Sequence, residues 1–561
     1  MRVSFWSVII ACAVALGGCA PGGSSGQDSR AAGDRAGQTK RLIIASREAP
    51  TALIDAAGDG GDVIEELTSA GLARFSPVGE PMPLLAEALP SVENGLLKLL
   101  PDGRMETTWK IRDGAKWHDG TPITSADLLF AVRIGQEGAV PEFGHDAYRT
   151  LDSVRAVDDR TITAEWKRVF IQATSMFTWR VALPLPKHLL EDAYLNQRDT
   201  FMQQRYWISN DFVHAGPFRV REFVTAERLV MYANPEFVLG RPKVDEIEVR
   251  SIPDGNTFIA NVLAGQVHFT IGAGVTMGQS KEAADQWPDG KLGVYPIQSV
   301  KTAAPQLLNP NPPLQGDLRF RRALAHALDR DALNDLINVG VAPPPGAFLI
   351  PVGAPEYPQI KGQMVEYPYD LRRATQLMEE IGGYTKVGDT YRDAGGRELA
   401  VPFLTTAGGA EEQSALFLQD SWKRLGVRTD LDVRAQLERE DRAQRPGFTD
   451  GTGTFMMTQP ERIAWLHSEN IPTAENRWRG NNRARYSNPE LDSLIDRFYA
   501  SIEPQARIQL LGLIGHIVTD QATQIPTYHT MHAVLISNRV QNVTPRTGLA
   551  QTYDSQLWDL Q

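Results

Sequence analysis

A chain of 561 residues exceeds a single ordinary hydrophobic core, so about two or three domains are expected. Its 57 basic and 68 acidic side chains give a formal charge of −11, which offers nucleic acid and anionic lipid no bulk attraction. The two cysteines, Cys12 and Cys19, both lie near the N-terminus, so the body of the chain has neither a disulfide framework nor a cysteine metal site.

The N-terminus opens with Arg2 and an apolar run from Val3 to Leu16, followed by Leu16-Gly17-Gly18-Cys19. That run is shorter than a membrane span of about 20 residues, and small residues follow it, as in a signal peptide. The residues before Cys19 resemble a bacterial lipobox, which implies cleavage after residue 18 and a lipid on Cys19. An ordinary secretory signal cut nearby is the alternative. Removing residues 1–18 takes away one charge, Arg2, and leaves −12. Residues 19–40 are Gly, Ser, Ala and Asp with scattered charge, too poor in large apolar side chains to order themselves, and are expected to form a flexible tether.

The fold is expected to begin near Lys40 with a short strand through Leu42, Ile43 and Ile44, followed by a helix-to-extended segment over Val63–Phe75. Trp109–Arg112 and Ala115–His118 read as two strands joined at Asp113-Gly114, with a second turn at Asp119-Gly120. Thr124 and Asp127 then form a capping pair ahead of Leu128, Leu129 and Val132. Strand signals dominate from Thr108 to about Val300, with helices near Thr124–Gln136 and Pro186–Tyr194. The character changes after Pro310-Asn311-Pro312-Pro313. Asp317–Leu328 reads as a helix with Leu324, Ala327 and Leu328 on one face, and Asp329 is placed to cap another carrying Leu333, Leu336 and Ile337. Glu411–Leu425 forms a helix ended by Gly426, and Val427, Thr429, Leu431 and Val433 alternate as a strand. Ser487-Asn488-Pro489-Glu490 opens a helix with Leu491, Leu494, Ile495 and Phe498 inward, and Thr527–Ser537 returns to strand. No internal repeat occurs at solenoid or propeller periods, so a mixed α/β globule is expected.

Catalytic patterns are poor. Gly22-Gly23-Ser24-Ser25-Gly26 matches a nucleophile-elbow string but sits in the tether, without a strand before it or a helix after it. Gly272, Gly274 and Gly278 have the wrong spacing for a dinucleotide fingerprint and read as a turn. No phosphate-binding Gly-x-x-x-x-Gly-Lys-Ser/Thr occurs, so any ATP hydrolysis belongs to a partner. His529 and His532 lie three apart on an expected strand and so point to opposite faces, as ordinary partly exposed histidines. His118-Asp119 at the second turn reads as structural.

The segment WKIRDGAKWHDGTPITSADLLF, Trp109–Phe130, closely resembles the signature of the family 5 bacterial extracellular solute-binding proteins. Further ordered segments extend the resemblance over roughly residues 41–545: Pro186–Glu191, Gly216–Phe223 with Ala233–Phe237, Asp317–Leu333, Tyr486–Asp496 and Ile525–Val543. The resemblance implies an α/β (mixed α+β), two-lobed periplasmic-binding-protein-like fold, with a ligand cleft between the lobes and an extra subdomain in the first. Its expected layout is residues 41–300 plus 526–561 for the first lobe and 301–525 for the second, with crossings near Val300–Pro305 and Ile525–Tyr528. It further implies a non-enzymatic, cofactor-free monomer that captures a peptide or peptide-like solute. Such a receptor delivers its solute to ABC-importer permeases, with the ATPase subunits engaged indirectly and the membrane reached through the lipid anchor.

Peptide receptors of that family carry aromatic-Gly motifs and an Asp for the peptide's amino terminus in a second-lobe loop. The corresponding stretch here, Phe448–Thr473, has no Trp-x-Gly-Asp or Asp-Pro element; its acids are Asp450, Glu461 and Glu469. Cleft candidates are therefore Met456, Thr458, Trp465, Arg477 and Trp478: thioether and indole surface for affinity, and polar groups for orientation. Met457 and Arg479 are neighbours of the same kinds, and Phe455, Met457 and Trp465 can equally serve as core. The altered loop keeps open a same-fold receptor for a sugar, opine or metal chelate. An exported hydrolase is a third reading, disfavoured by the missing triad and metal motifs.

Overall fold

Ten strands form the principal sheet of the structure, a computed structural model. It describes residues 39–561 apart from 48–51, 55–61, 77–80, 141–142, 146, 179–180, 272–274, 347–349, 351, 353, 435–448, 456–459, 477, 479 and 544–550. The side chains of 62, 63, 295–298, 450, 452–455 and 460–462 are likewise outside the description. The strands are β1 (Arg41–Ser46), β2 (Phe218–Val224), β3 (Arg228–Ala233), β4 (Glu246–Ser251) and β5 (Phe269–Ile271), followed by β6 (Gly290–Ala304), β7 (Ala400–Thr406), β8 (Arg428–Arg434), β9 (Thr449–Phe455) and β10 (Ile525–Ser537). Their spatial order is β8-β7-β9-β6-β10-β5-β1-β4-β3-β2. The long strands β6 and β10 occupy the middle. β1 runs parallel to both its neighbours, and Leu42, Ile44 and Ala45 are fully buried, as a parallel strand covered on both faces requires.

A separate antiparallel sheet orders Leu97–Leu99, Met105–Lys110, Thr161–Trp166 and Leu151–Asp158. It buries Trp109 and Trp166, and the Trp166 Nε1–H donates to Thr107 Oγ1 at 2.9 Å. The Asp113-Gly114 turn forms, but Ala115–His118 does not pair with Trp109–Arg112 as a hairpin. Trp109 pairs instead with Ile162, while Trp117 N–H donates to Thr121 O and Lys116 bridges Pro122 across the Asp119-Gly120 turn. A local turn signal specifies a reversal without deciding which strand fills the neighbouring edge.

The principal helices used below are α1 (Asp62–Thr68), α2 (Ser125–Glu137), α3 (Leu318–His326), α4 (Arg330–Asn338), α5 (Gly409–Leu425), α6 (Pro489–Ala500) and α7 (Pro504–Asp520). Their ends follow the local chemistry. The Asp127 carboxylate accepts the Thr124 N–H at 2.8 Å within a reciprocal capping box on α2. Asp317 and Asp329 cap α3 and α4, Asn488 caps α6, and Gly426 at φ 108° ends α5. On α4, Leu333 and Ile337 are buried, whereas Leu336 is 49% exposed: the apolar stripe is narrower than the sequence suggests. Gly216 has a packing reason. Its N–H donates to Thr68 O at 2.9 Å, and a Cβ would lie 2.2 Å from the Thr68 carbonyl carbon.

Three large apolar cores follow from this layout. One gathers side chains of β1–β5 and the far end of β10 with Trp207 and Trp558. A second lies around β7, α3, α4 and α5, including Trp422 and Phe403. The third joins the four-stranded sheet to α6 and α7, through residues such as Trp109, Phe170, Leu491 and Tyr499. Among the described residues no helix is long and apolar enough to cross a membrane.

Candidate functional site

β6 and β10 pair antiparallel from Gly290↔Ser537 to Ala303↔Ile525, with the register broken between Tyr295↔His532 and Ser299↔Thr530 and again between Lys301↔Tyr528 and Thr302↔Pro526. β9 adds to the far half of β6 through Val300↔Phe455 and Lys301↔Thr454. The chain leaving β9 reaches a short 3-10 turn, Pro460–Leu466, and then a loop that ends at α6. At the centre Lys301 and Glu411, the latter in the first turn of α5, form a mostly buried ion pair. His529 is wholly buried on β10 rather than partly exposed; its Nδ1 lies 2.8 Å from Pro343 O.

Asparagines hold the loop after Pro460–Leu466. Asn482, buried, directs its amide at Leu466 O, His467 O and Tyr486 O at 2.9–3.2 Å and accepts the Tyr486 N–H. Asn470 donates to Ala464 O at 2.6 Å, and Asn476 to Ile471 O at 2.8 Å. The Asp492 carboxylate on α6 accepts both the N–H and the hydroxyl of Ser468. Behind the loop runs a buried relay: Arg485 donates to Gln306 Oε1, Gln306 N–H to Gln315 Oε1, and the Thr449 hydroxyl to the same Gln315 oxygen. Gly480 takes φ 136°, and a Cβ there would lie 2.3 Å from Asn470 O.

Trp465 and Trp478 are both half-buried in this region, Trp465 in the 3-10 turn and Trp478 in the loop. Trp478 has φ 59°, a left-handed conformation that is strained for a bulky side chain and that clusters at functional sites. Its N–H donates to Thr473 O at 2.7 Å, which closes the turn that imposes the strain. Met456, Thr458 and Arg477 lie outside the described residues, as do Met457, Arg479 and Cys19, and so does Gly22–Gly26. Glu469 is exposed. The sequence reading passed over Asp492, Tyr499, Gln306 and Arg485. Asp492 and Tyr499 lie on a helix whose existence was plain from its Asn-Pro cap, but no local signal says what a helix side chain meets in space.

Elsewhere, a small pocket opens among residues of α1, the following strand and the C-terminal segment. Glu65, Glu66, Ser69, Arg74, Tyr553 and Gln556 give it its polar character. The Arg74 guanidinium sits 4.0 Å over the Tyr553 ring and donates to Tyr553 O at 2.8 Å. Neither Trp465 nor Trp478, the cleft candidates among the described residues, lines this pocket. His118 does not line it: its Nε2 lies 3.0 Å from Gly216 O and its Nδ1 accepts the His214 N–H, so both ring nitrogens serve the main chain. Burial lowers the His118 imidazole to about 4 and that of His214 to about 3. Such a ring is neutral and structural at pH 7. Among the described residues no three His, Cys, Asp or Glu side chains gather as metal ligands.

Comparison with known proteins places these features in context. Residues 80–468 match the model of the bacterial extracellular solute-binding proteins, family 5, middle region. A Brucella ovis protein named for ABC-transporter peptide binding is 26% identical over 307 residues, 54% of either chain; the match therefore spans about half the length of that relative. The oligopeptide-binding protein AppA of Bacillus subtilis is 22% identical over 544 residues, 95% of this chain and 94% of AppA. Its structure with a nonapeptide superposes with a TM-score of 0.73 at 19% identity, covering 93% of this chain and all of the other. NikA of Brucella suis with Fe(III)-EDTA gives a TM-score of 0.75 at 17% identity, again over 93% of this chain. These likenesses establish the two-lobed mixed α/β fold.

Proposed function

The chain belongs to the family 5 bacterial extracellular solute-binding proteins, and from that premise we propose that it is the receptor of an ABC importer, trapping a peptide or peptide-like solute between two lobes. The observation that carries this reading is the family match over residues 80–468, joined to near full-length similarity to an oligopeptide-binding protein. The strands β6 and β10 suit the role, because they pair across the boundaries proposed for a lobe of residues 41–300 plus 526–561 and a lobe of 301–525. Closure would bury the solute and present a joint surface to permeases; the solute must bind the closed form better than the open one to drive it. The protein binds and releases without transforming its cargo. Native mass spectrometry of the purified protein tests this: a retained set of short peptides supports it, and turnover of a peptide into fragments would overturn it.

A second reading is a receptor for a non-peptide solute, favoured by the absence of the Trp-x-Gly-Asp and Asp-Pro elements from Phe448–Thr473. A retained sugar, opine or metal chelate in the same spectrum would select it.

Lipid anchoring through Cys19 completes the proposal and places the protein on an extracytoplasmic membrane face as a monomer. Cys19→Ser should release the protein from membranes or leave the precursor uncut. A wild-type protein that is soluble, with an unmodified N-terminus beyond residue 19, would sink the anchor and leave the receptor reading intact.

A further inference from the structure

We propose that Tyr499 is a positioning residue that couples the candidate ligand loop to the opposite lobe when the two lobes close, an inference that rests on the two-lobed receptor reading above. Tyr499 stands on the last turn of α6 and serves two elements at once. Its phenol oxygen accepts the N–H of Ala464 at 2.9 Å, in the 3-10 turn that carries Trp465. Its ring meets that of Phe170, with centroids 6.4 Å apart and planes inclined by 34°.

Phe170 in turn packs on Trp166 at 5.5 Å, and Trp166 is fixed in the four-stranded sheet by its bond to Thr107. An aromatic chain therefore runs from that sheet, through Phe170 and Tyr499, into the loop. One turn earlier on α6, Asp496 lies 3.4 Å from Arg168, both side chains 55% exposed. Asp492, a further turn back, holds Ser468 of the loop. The helix thus faces the loop with Asp492 and the Tyr499 hydroxyl and the first lobe with the Tyr499 ring, while Asp496 meets Arg168 and also lies 4.0 Å from His467 of the loop.

The two rings differ from the ion pair in what opening would do to them. Phe170 and Tyr499 are buried where they meet, 6% and 7% exposed, so separating the lobes would wet two aromatic faces. The exposed Arg168–Asp496 pair loses little when water replaces it. The rings therefore favour the closed form, while the Ala464 bond makes that preference depend on how the loop is set. A solute that orders the loop around Trp465 stabilises the same arrangement that brings Tyr499 to Phe170.

Small-angle scattering and amide exchange on the full-chain protein, with no solute added, separate these roles. Phe170→Ala is expected to lower the closed-to-open ratio about two- to tenfold while Ala464 keeps its protection. Tyr499→Phe, which keeps the ring, should leave the scattering unchanged while Ala464 exchanges about tenfold faster. Asp496→Arg, a surface change that sets like charges against Arg168, should open the lobes without touching the core and serves if Phe170→Ala fails to fold. Scattering that is the same for wild type, Phe170→Ala and Asp496→Arg would show static packing and overturn the proposal. Because the readout uses no solute, a receptor that retains none would undermine the peptide reading while leaving this test standing.

Discussion

At the scale of single residues, chemistry separates side chains that hold the fold from those available to a solute. His118, His214 and His532 all have imidazoles lowered by burial, to about 4, 3 and 4, with the Lys301 charge adding to the effect at His532. The unfolded chain, with an ordinary value near 6.5, therefore takes up protons first as pH falls. The stability these groups contribute is full above about pH 6.5 and is lost as pH falls toward 4 or below. Urea midpoints measured from pH 7.5 to 4.5 should decline across that window, and His118→Gln should make the decline shallower by about 1.4 kcal/mol per pH unit. A flat profile would mean that these rings are hydrated and titrate normally. The indoles pose the opposite case. Trp465→Ala or Trp478→Ala should weaken solute binding by about 1–3 kcal/mol, judged from the burial of a large aromatic group. Calorimetry with the co-purified solute decides this, provided solute-free melting is unchanged; an equal loss of stability would return these residues to the core.

At the scale of elements, the asparagine-held loop stands or falls with Asn482. Asn482→Ala would remove the amide donor from Leu466 O and Tyr486 O and leave His467 O with the Asn470 N–H alone. A destabilisation of about 1–3 kcal/mol is expected in denaturant unfolding, with no rescue by Asn482→Asp, which restores an acceptor but not the amide. This loop also marks where sequence reading stops. Its flanking helix α6 was legible from Asn488-Pro489, and so were α2, α3, α4 and the end of α5, because caps and left-handed glycines are written within a few residues. The pairing of Ala115–His118 and the exposure of Leu336 were not, since each depends on what a distant segment places alongside. Of the cleft candidates, Trp465 and Trp478 do share one loop region. The contact of Arg168 with Asp496 joins residues 328 apart, and no periodicity reports such a meeting.

At the scale of the whole molecule, the family signature and the fold it implies were legible because ordered segments along nearly the whole chain carried them. We propose that the crossings expected near Val300–Pro305 and Ile525–Tyr528 flex at the gap in the ladder beside them. Amides between Tyr295 and Ser299 should exchange faster than those of Gly290–Val294 or of Val300 and Lys301, which keep regular partners on β10. Uniform protection along β6 would argue for a rigid span.

The lapse in that ladder bears on how little force the molecule needs. Between the two paired tracts, three residues of β6 face only Met531 of β10. Bending at this point changes a few backbone dihedrals and need not break a regular rung, so stiffness is stored in the paired stretches and compliance in the gap. In the proposed two-lobe layout, contacts of about a few kcal/mol would set the two halves, the scale on which a small bound solute tips such a balance.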